Sequence, residues 1–196
     1  MESSQPQSSV SRLVQTATDQ TTLEGIREML RVVTEELESW GAVIWTCSPG
    51  SDIERGKGRL FVLGYWIPDP TIQVWHELTF ESMAGSVLKH NRPDSAALGD
   101  ERIARPTPKF IEQSKTRQFC LAPMLMADGS HAVLEVYRAE DRCFSEVEVS
   151  RLAELATIFP ALYATLTDRV GFALQDRISE IRRKAVPRSV DFSARH

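Results

Sequence analysis

The chain has 196 residues, of which 42% are apolar and 26% are charged, and its formal net charge is −4. This length accommodates one domain plus extensions, because domains cluster near about 100–150 residues. The negative charge supplies no global field toward nucleic acid, and no stretch approaches the ~20 apolar residues of a transmembrane helix. The N-terminus lacks the basic and apolar regions of a signal peptide, so we expect a cytoplasmic protein.

Residues 1–20 are rich in Ser, Gln and Thr, which predicts disorder or a linker. A first helix is predicted to begin at Thr21 or Thr22, because threonine can cap a helix and the following apolar residues recur at helical spacing. These residues are Leu23, Ile26, Leu30, Val33 and Leu37. Gly41 is predicted to end the helix, as a glycine just past the last turn commonly does.

Three β-type segments follow, and turn residues separate them. They span residues 42–47, 59–67 and 71–80. A short helix over residues 81–90 is predicted next, ended by Asn91-Arg92-Pro93. Residues 94–118 are polar and rich in turn residues, with one weak helical patch around Phe110 and Ile111. Because so long a segment is usually functional, we expect it to contribute to a site.

Residues 119–137 predict a central β-hairpin. An apolar run from Phe119 to Met126 is followed by the turn sequence Ala-Asp-Gly-Ser and then by a second, mostly apolar run. Two β-type runs joined by a short Asp-Gly turn are typical of a hairpin. Pro123 cannot donate a hydrogen bond, so we expect it at a bulge or where its nitrogen faces away from a partner strand.

The last predicted helix begins at Ser145, which can cap it, with Glu146 and Glu148 in the first turn. Apolar residues then recur in a pattern close to a heptad: Leu152, Leu155, Phe159, Leu162, Leu166, Val170 and Ala173. Pro160 predicts a kink between Ala156 and Pro160, because proline removes a helical hydrogen bond. The apolar spacing continues, which predicts a two-fold dimer interface of identical helices. The candidate interface residues are Leu162, Leu166, Val170, Leu174, Ile178 and Ile181.

The hairpin, followed by Phe144-Ser145-Glu146-Val147-Glu148, resembles the C-terminal hairpin and last-helix signal of a GAF domain. The segment from Ser82 to Pro93 is similar to the GAF helix of form x-G-x-[VIL]-x-x-x-x-x-P. This resemblance covers about residues 22–166. It implies an α+β fold in which an antiparallel sheet of five or six strands carries the N- and C-terminal helices on one face.

The predicted domain organisation follows from the resemblance and from the composition. Residues 1–20 form a disordered segment or linker, residues 21–167 form the GAF-like domain, and residues 168–196 form a helical extension and a basic tail.

The resemblance implies several ligand classes, because GAF domains bind cyclic nucleotides, tetrapyrroles, haem or small metabolites, and many only dimerise. The cyclic-nucleotide motif N-K-x(n)-F-x-x-x-D-E is incomplete here, since Tyr137-Arg138 stands in place of Asn-Lys before Phe144 and Glu148. An ion pair between Arg138 and Glu148 remains possible. No Cys-His dipeptide is present for bilin attachment, and the four histidines lack metal spacing. We therefore predict no cofactor and no metal.

The three cysteines are Cys47, Cys120 and Cys143. They lack CxxC spacing, which fits reduced thiols. The first two fall in predicted strands, where a cysteine usually behaves as a small buried hydrophobe. Redox catalysis requires a low-pKa thiolate and a resolving partner. Since no sequence feature supplies both, we predict that the protein has no thiol chemistry.

In GAF domains the segment equivalent to residues 94–118 lies over the pocket. The resemblance therefore implies a cavity beneath it, with Arg105, Phe110 and Arg117 near the mouth as candidate ligand-binding residues. Arg102, Arg105 and Arg117 could bind an anionic ligand, since guanidinium groups match carboxylate or phosphate. The favoured interpretation is that they are surface charges balanced by acidic residues of the same segment.

The leading functional hypothesis is a non-enzymatic cytoplasmic GAF sensor or regulatory module. It would bind an unknown small ligand or transduce a signal, and it would form a homodimer through its terminal helices. One alternative is a GAF enzyme similar to the free-methionine-sulfoxide reductases, and another is a structural dimerisation domain without a ligand. Neither a membrane nor a nucleic acid is expected as a partner.

Overall fold

The computed structural model describes residues 8–13, 22–48, 50–72, 74, 77–103 and 109–185, and the side chains of the last helix through residue 168. The helices are α1 (residues 9–13), α2 (Thr22–Glu36), α3 (Met83–His90), α4 (Lys109–Gln113) and α5 (Glu146–Ala185). The strands are β1 (Gly41–Cys47), β2 (Arg59–Trp66), β3 (Glu77–Thr79), β4 (Asp94–Ala97), β5 (Gln118–Leu125) and β6 (His131–Arg138).

These six strands form one antiparallel sheet in the order β3-β2-β1-β6-β5-β4. Side chains alternate across each strand, so the sheet has two faces. On one face Ile44 and Leu134 pack with the apolar sides of α2 and α5. On the other face Trp45 and Tyr137 pack with α3 and α4. The predicted α+β fold, with both terminal helices on one face, is confirmed.

The N-terminal prediction is wrong over residues 9–13, which form α1. Leu13 is fully buried in the core cluster beneath α2 and α5. Arg12 donates to Glu35 over 2.6 Å, and the Ser9 hydroxyl donates to Glu36, so α1 packs along α2. The composition of residues 1–20 is polar on average, so it gives no indication that Leu13 is buried. Residues 1–7 and 14–20 lie outside the described residues.

Helix α2 does not end at Gly41. Its last turn closes at Glu38, whose φ of 46° is left-handed, and the Ser39 N–H donates to the Thr34 carbonyl over 2.8 Å. This is the hydrogen bond of a Schellman motif. Gly41 instead begins β1, where a Cβ atom would lie 3.3 Å from both Ile67 and the Trp66 carbonyl. The glycine thus serves close packing between strands.

The third predicted strand is much shorter than expected, because only Glu77–Thr79 pairs with β2. Ile72 and Val74 are nevertheless buried in the second core cluster. Their apolar character therefore reflects burial of a segment that lies outside the strand. Residues 73, 75 and 76 of the predicted strand lie outside the described residues.

Residues 94–118 contain more regular structure than predicted. Strand β4 pairs with β5 from Asp94 opposite Leu121 to Ala97 opposite Gln118. Its sequence, Asp-Ser-Ala-Ala, has no β-branched residue and so carries little strand signal. Helix α4 confirms the helical patch around Phe110 and Ile111. Residues 104–108 lie outside the described part of the chain.

The central hairpin of β5 and β6 is confirmed. Gly129 has a φ of 80°, and its N–H donates to the Met126 carbonyl over 2.9 Å. Pro123 pairs in register with Val133, whereas β4 accompanies β5 only as far as Leu121. Leu98 donates to the Arg117 carbonyl, so odd-numbered residues of β5 direct their backbone groups toward β4. The nitrogen of Pro123 therefore faces away from β6, beyond the end of β4, as expected.

Helix α5 begins as predicted. The Ser145 N–H donates to Glu148 over 2.8 Å, while the Glu148 N–H donates to the Ser145 hydroxyl over 3.3 Å. This reciprocal pair is a capping box. The helix runs continuously through Pro160, and the kink stays a prediction. No described helix is long and apolar enough to cross a membrane.

The described part of α5 changes the interface prediction at two positions. Leu166 is only 1% exposed and packs on Gly25, so it fills the core of its own domain. Leu162 is half-buried against the same core. Their apolar spacing reflects packing on α2 and the sheet. The side chains of Val170, Leu174, Ile178 and Ile181 lie outside the described residues, so their interface role stays a prediction.

Candidate ligand-binding site

A cavity lies between the sheet and helices α3 and α4. Its walls comprise Trp45, Leu78, Ser82, Met83, Ala84, Ile103, Phe110, Ile111, Phe119, Glu135 and Tyr137. Its volume is about 20 Å³. That volume accommodates about one water molecule. The cavity is therefore nearly filled by its own side chains.

Strand β6 places the two most polar groups of this cavity. Val133, Glu135 and Tyr137 share one face of β6, because side chains two residues apart point the same way. The neighbouring strands β1 and β5 lie on either side, and Glu135 is opposite Val43 on one and Leu121 on the other. Glu135 consequently occupies the middle of the sheet rather than an edge.

Glu135 is a buried carboxylate held by two neutral donors. The Trp45 indole N–H donates to Oε2, and the Tyr137 hydroxyl donates to the same oxygen over 2.9 Å. Burial raises the pKa of Glu135 to about 7, although both hydrogen bonds favour the ionised form and oppose the shift. Among the described residues that line the cavity there is no Lys, Arg or His. The negative charge thus has no cationic partner within that set.

Aromatic rings fix Tyr137. Phe110 and Phe119 meet its ring edge-on, with centroids 5.5 and 5.8 Å away, and Trp40 lies tilted at 5.8 Å. Such edge-to-face contacts are favourable arrangements of aromatic pairs. Burial raises the pKa of Tyr137 well above its usual value, and the nearby Glu135 charge acts in the same direction. Tyr137 therefore stays a neutral hydrogen-bond donor at physiological pH.

No protein-family model and no curated protein matches this sequence. Solved structures do match. The GAF domain of an Acinetobacter phosphoenolpyruvate-protein phosphotransferase superposes with a TM-score of 0.59 at 18% identity, over 83% of this chain and 94% of that one. This chain has the GAF fold. The cavity lies on the face of the sheet that also packs against α3 and α4.

Two further structures of this fold show its functional range. Free methionine-R-sulfoxide reductase from Neisseria meningitidis, in complex with its substrate, has a TM-score of 0.59 at 14% identity, over 86% of this chain and 98% of that one. A far-red cyanobacteriochrome photoreceptor has a TM-score of 0.55 at 11% identity, over 80% and 92%. Identities this low show a common fold. They do not transfer a ligand or an activity.

The predicted site residues fall in different places. Phe110 lines the cavity. Arg117 is exposed outside it, where its backbone bonds Arg138 and Leu98 at the end of the sheet. Arg105 lies outside the described residues. Arg102 binds Asp94 and, over 2.7 Å, Asp100. The guanidinium of Arg102 is thus balanced by acids of its own segment.

Sequence reasoning missed the polar centre of the cavity, Glu135 with Trp45 and Tyr137. The available signal was an acidic residue within an otherwise apolar central strand. Glutamate is almost never fully buried without a partner. A glutamate predicted at the middle of a two-sided strand therefore indicates a special environment.

Arg138 forms a second polar centre outside the cavity, and it confirms the predicted ion pair. Its side chain is 1% exposed and donates to Glu148 and to the Leu37 carbonyl, each over 2.7 Å. The guanidinium also lies 4.0 Å from the centre of the Phe144 ring. Burial would raise the pKa of Glu148, but hydrogen bonds from Ser145 and Arg138 lower it to about 2. Arg138 thereby joins the ends of α2 and β6 to the start of α5.

The three cysteines are separate from the cavity, since none of them lines it. Burial raises the pKa of the Cys47 thiol to about 11 and that of Cys120 to about 12. Both thiols are therefore protonated at neutral pH. Cys143 is exposed in the loop before α5. Among the described residues, no cluster of three His, Cys, Asp or Glu side chains could hold a metal ion.

Proposed function

We propose that this chain is a non-enzymatic, cytoplasmic sensor or regulatory module that binds a small ligand in the Glu135 cavity and forms a homodimer through its terminal helices. The main support for the ligand site is the burial of the Glu135 carboxylate without a cationic partner among the described wall residues. Burying a carboxylate without a cation is unfavourable, and such strongly perturbed groups concentrate at functional sites. Similar structures of sensor proteins, such as the far-red photoreceptor, support a signalling role.

The small volume of the cavity favours a site that opens on binding. Ligand pockets of ordinary size span about 300–1,000 Å³, whereas this cavity holds about 20 Å³. A ligand would have to displace side chains of α3 or α4 from the sheet. The free energy of binding would then be coupled to a change in structure, which is what a sensor requires. The same small volume also favours the alternative of a dimerisation domain without a ligand.

The enzyme alternative has a specific argument against it. The thiolate, not the thiol, is the reactive form of cysteine. Cys47 and Cys120 have raised pKa values, and neither they nor Cys143 line the cavity. A thiol-dependent sulfoxide reductase of this fold would need a reactive sulfur beside its substrate. We therefore expect no reduction of free methionine sulfoxide, and an activity lost in Cys143→Ser would overturn the non-enzymatic assignment.

The dimer proposal rests on the length of α5. This helix extends 18 residues beyond Thr167, to Ala185. At about 1.5 Å per residue it adds roughly 27 Å. Leu174, Ile178 and Ile181 continue the apolar spacing along this extension. The same extension of a second subunit would cover such a stripe.

Native mass spectrometry and analytical ultracentrifugation test both parts of the proposal. The full chain is expected to be a dimer, and truncation after Thr167 is expected to give a folded monomer or a much weaker dimer. Circular dichroism checks that the truncated protein remains folded. A truncated protein that dimerises as tightly as the full chain would place the interface elsewhere. A monomeric full chain would refute the dimer, and retained mass in the native spectrum would reveal a ligand.

A further inference from the structure

We infer that the cavity recognises a ligand through a cationic amine group, with Glu135 as its counter-ion and the rings of Phe110, Phe119 and Tyr137 around it. This inference rests on the proposed ligand-binding function and specifies the chemical class of the ligand. It follows from the charge, the hydrogen bonding and the aromatic composition of the cavity walls.

The described walls of the cavity carry one titratable carboxyl group and no cationic side chain. Glu135 is the acidic residue of the wall, and the other described wall residues carry no formal charge at neutral pH. Its two side-chain donors, Trp45 and Tyr137, both bind Oε2. They are neutral, so they orient the carboxylate without neutralising it. Oε1 remains the oxygen to which a ligand N–H can donate.

The walls select a cation over the alternatives. An anionic ligand would meet a like charge at short range, which is unfavourable in a buried site. The two described arginines of the predicted anion site, Arg102 and Arg117, do not line the cavity. Aromatic faces, by contrast, attract ammonium groups through their ring quadrupoles. A carboxylate beside several rings therefore matches an amine better than an acid or a neutral group.

A second acceptor lies at the start of α3. Ser82 caps this helix and lines the cavity. Its hydroxyl donates to the Thr79 carbonyl over 2.6 Å and accepts from Gly85 at a long 3.4 Å. A hydroxyl oxygen has two lone pairs, and a primary ammonium has three donors. The Ser82 oxygen thus keeps one lone pair that can accept a hydrogen bond from a ligand in the cavity.

Binding of a cation should be linked to the protonation of Glu135. The pKa of Glu135 is about 7, so the carboxyl is partly protonated at neutral pH when the cavity holds no cation. Tyr137 is the other titratable group among the described wall residues from the strands and from α3 and α4, and it stays neutral because its pKa is raised. An amine requires the ionised carboxylate. Its affinity should therefore rise about tenfold between pH 6 and pH 8.

Three probes with three carbon atoms each and different charge test this inference on the full-length protein: propylammonium, 1-propanol and propionate. Titrations at pH 8 are followed by saturation-transfer-difference NMR. We expect propylammonium to bind at least about tenfold more tightly than either other probe, as an ion pair in a desolvated site would require. This preference should disappear in Glu135→Gln, which keeps the side-chain shape and an acceptor for Trp45 and Tyr137.

The matched control is Glu112→Gln, which makes the same chemical change at an exposed position of α4. It should leave the preference intact. Glu135→Asp keeps the charge on a shorter side chain and should bind propylammonium more weakly while still preferring it to 1-propanol. This variant preserves the test if Glu135→Gln does not fold.

The failures of the inference and of the proposed function are distinguishable. Tighter binding of propionate, equal binding of propylammonium and 1-propanol, or an unchanged preference in Glu135→Gln would each overturn the amine inference while leaving a ligand-binding module. Absence of binding by all three probes would also overturn it. The regulatory dimer would then stand or fall on ultracentrifugation alone.

Discussion

Replacing Glu148 by glutamine removes the carboxylate that pairs with the buried Arg138 guanidinium. Arg138 would keep the Leu37 carbonyl as an acceptor but would lose its negative partner. Glutamine can still accept from the Ser145 N–H, so the cap of α5 is largely preserved. The substitution therefore isolates the loss of charge from the loss of the helix start.

Two independent estimates give similar values for the loss in free energy of unfolding. Removing one partner of a buried ion pair typically costs about 3–5 kcal/mol. The pKa of Glu148 is about 2, against 4.5 as its ordinary value, which corresponds to about 3 kcal/mol in favour of the ionised folded state. The side chain of Glu148 is 19% exposed, so water screens part of the interaction. We expect Glu148→Gln to lower the free energy of unfolding by about 2–3 kcal/mol at pH 7.

The stabilisation by the Glu148 carboxylate should depend on pH. A carboxyl whose pKa is lowered on folding stabilises the protein above its unfolded-state pKa and loses that contribution as the pH falls toward its folded-state pKa. The difference between wild type and Glu148→Gln should therefore be full above about pH 5 and nearly gone at about pH 2. Urea unfolding followed by tryptophan fluorescence at several pH values measures it.

The control is Glu154→Gln, because Glu154 is 64% exposed and pairs with Arg151 at the surface. Surface pairs contribute at most about 1 kcal/mol, so this variant should remain close to wild type. A Glu148→Gln protein within about 1 kcal/mol of wild type at pH 7 would refute the reasoning. So would a variant that retains the full acid sensitivity of the wild type.

Two further substitutions test the cavity side of the sheet. Because the pKa of Glu135 is raised on folding to about 7, the free energy of unfolding should fall as the pH rises from about 4.5 to above 7. Glu135→Gln should remove this pH dependence and be up to about 3 kcal/mol more stable than wild type in urea unfolding at pH 8. A less stable variant would show that the hydrogen bonds from Trp45 and Tyr137 require the carboxylate. A Cβ atom on Gly85 would overlap the backbone of Phe80, so Gly85→Ala should cost about 1–3 kcal/mol in thermal unfolding, whereas Ser86→Ala should change little; equal melting temperatures would contradict this close approach of α3.

The parts of the fold that the sequence predicts correctly are those with local chemical signals. The hairpin turn depends on Asp128 and Gly129, whose conformational preferences act within four residues. The start of α5 depends on the reciprocal bonds of Ser145 and Glu148. Such signals are independent of the rest of the chain, so pattern reasoning finds them. The ion pair of Arg138 was likewise open to prediction, because both partners flank the same short loop.

The remaining features depend on contacts that are distant in sequence. Strand β4 has little intrinsic strand preference and exists because β5 supplies hydrogen-bond partners 21–27 residues later, between Ala97 and Gln118 and between Asp94 and Leu121. The sequence predicts a helix end at Gly41, because the packing of this glycine against Ile67 leaves no local signal. Glu135 is the same kind of case, since its burial results from rings on two other strands and a helix.

Strand β6 has a mechanical consequence. Leu134 and Val136 lie under α2 and α5, while Glu135 and Tyr137, their immediate neighbours in the chain, face the cavity. Successive residues of a strand are only about 3.3 Å apart, and their side chains leave by opposite faces. If a molecule in the cavity moved Glu135, Leu134 and Val136 would move with it, because one peptide bond joins each of them to Glu135. Arg138, the last residue of β6, holds the start of α5 directly. Strand β6 thus contacts both the cavity and the terminal helices of the domain.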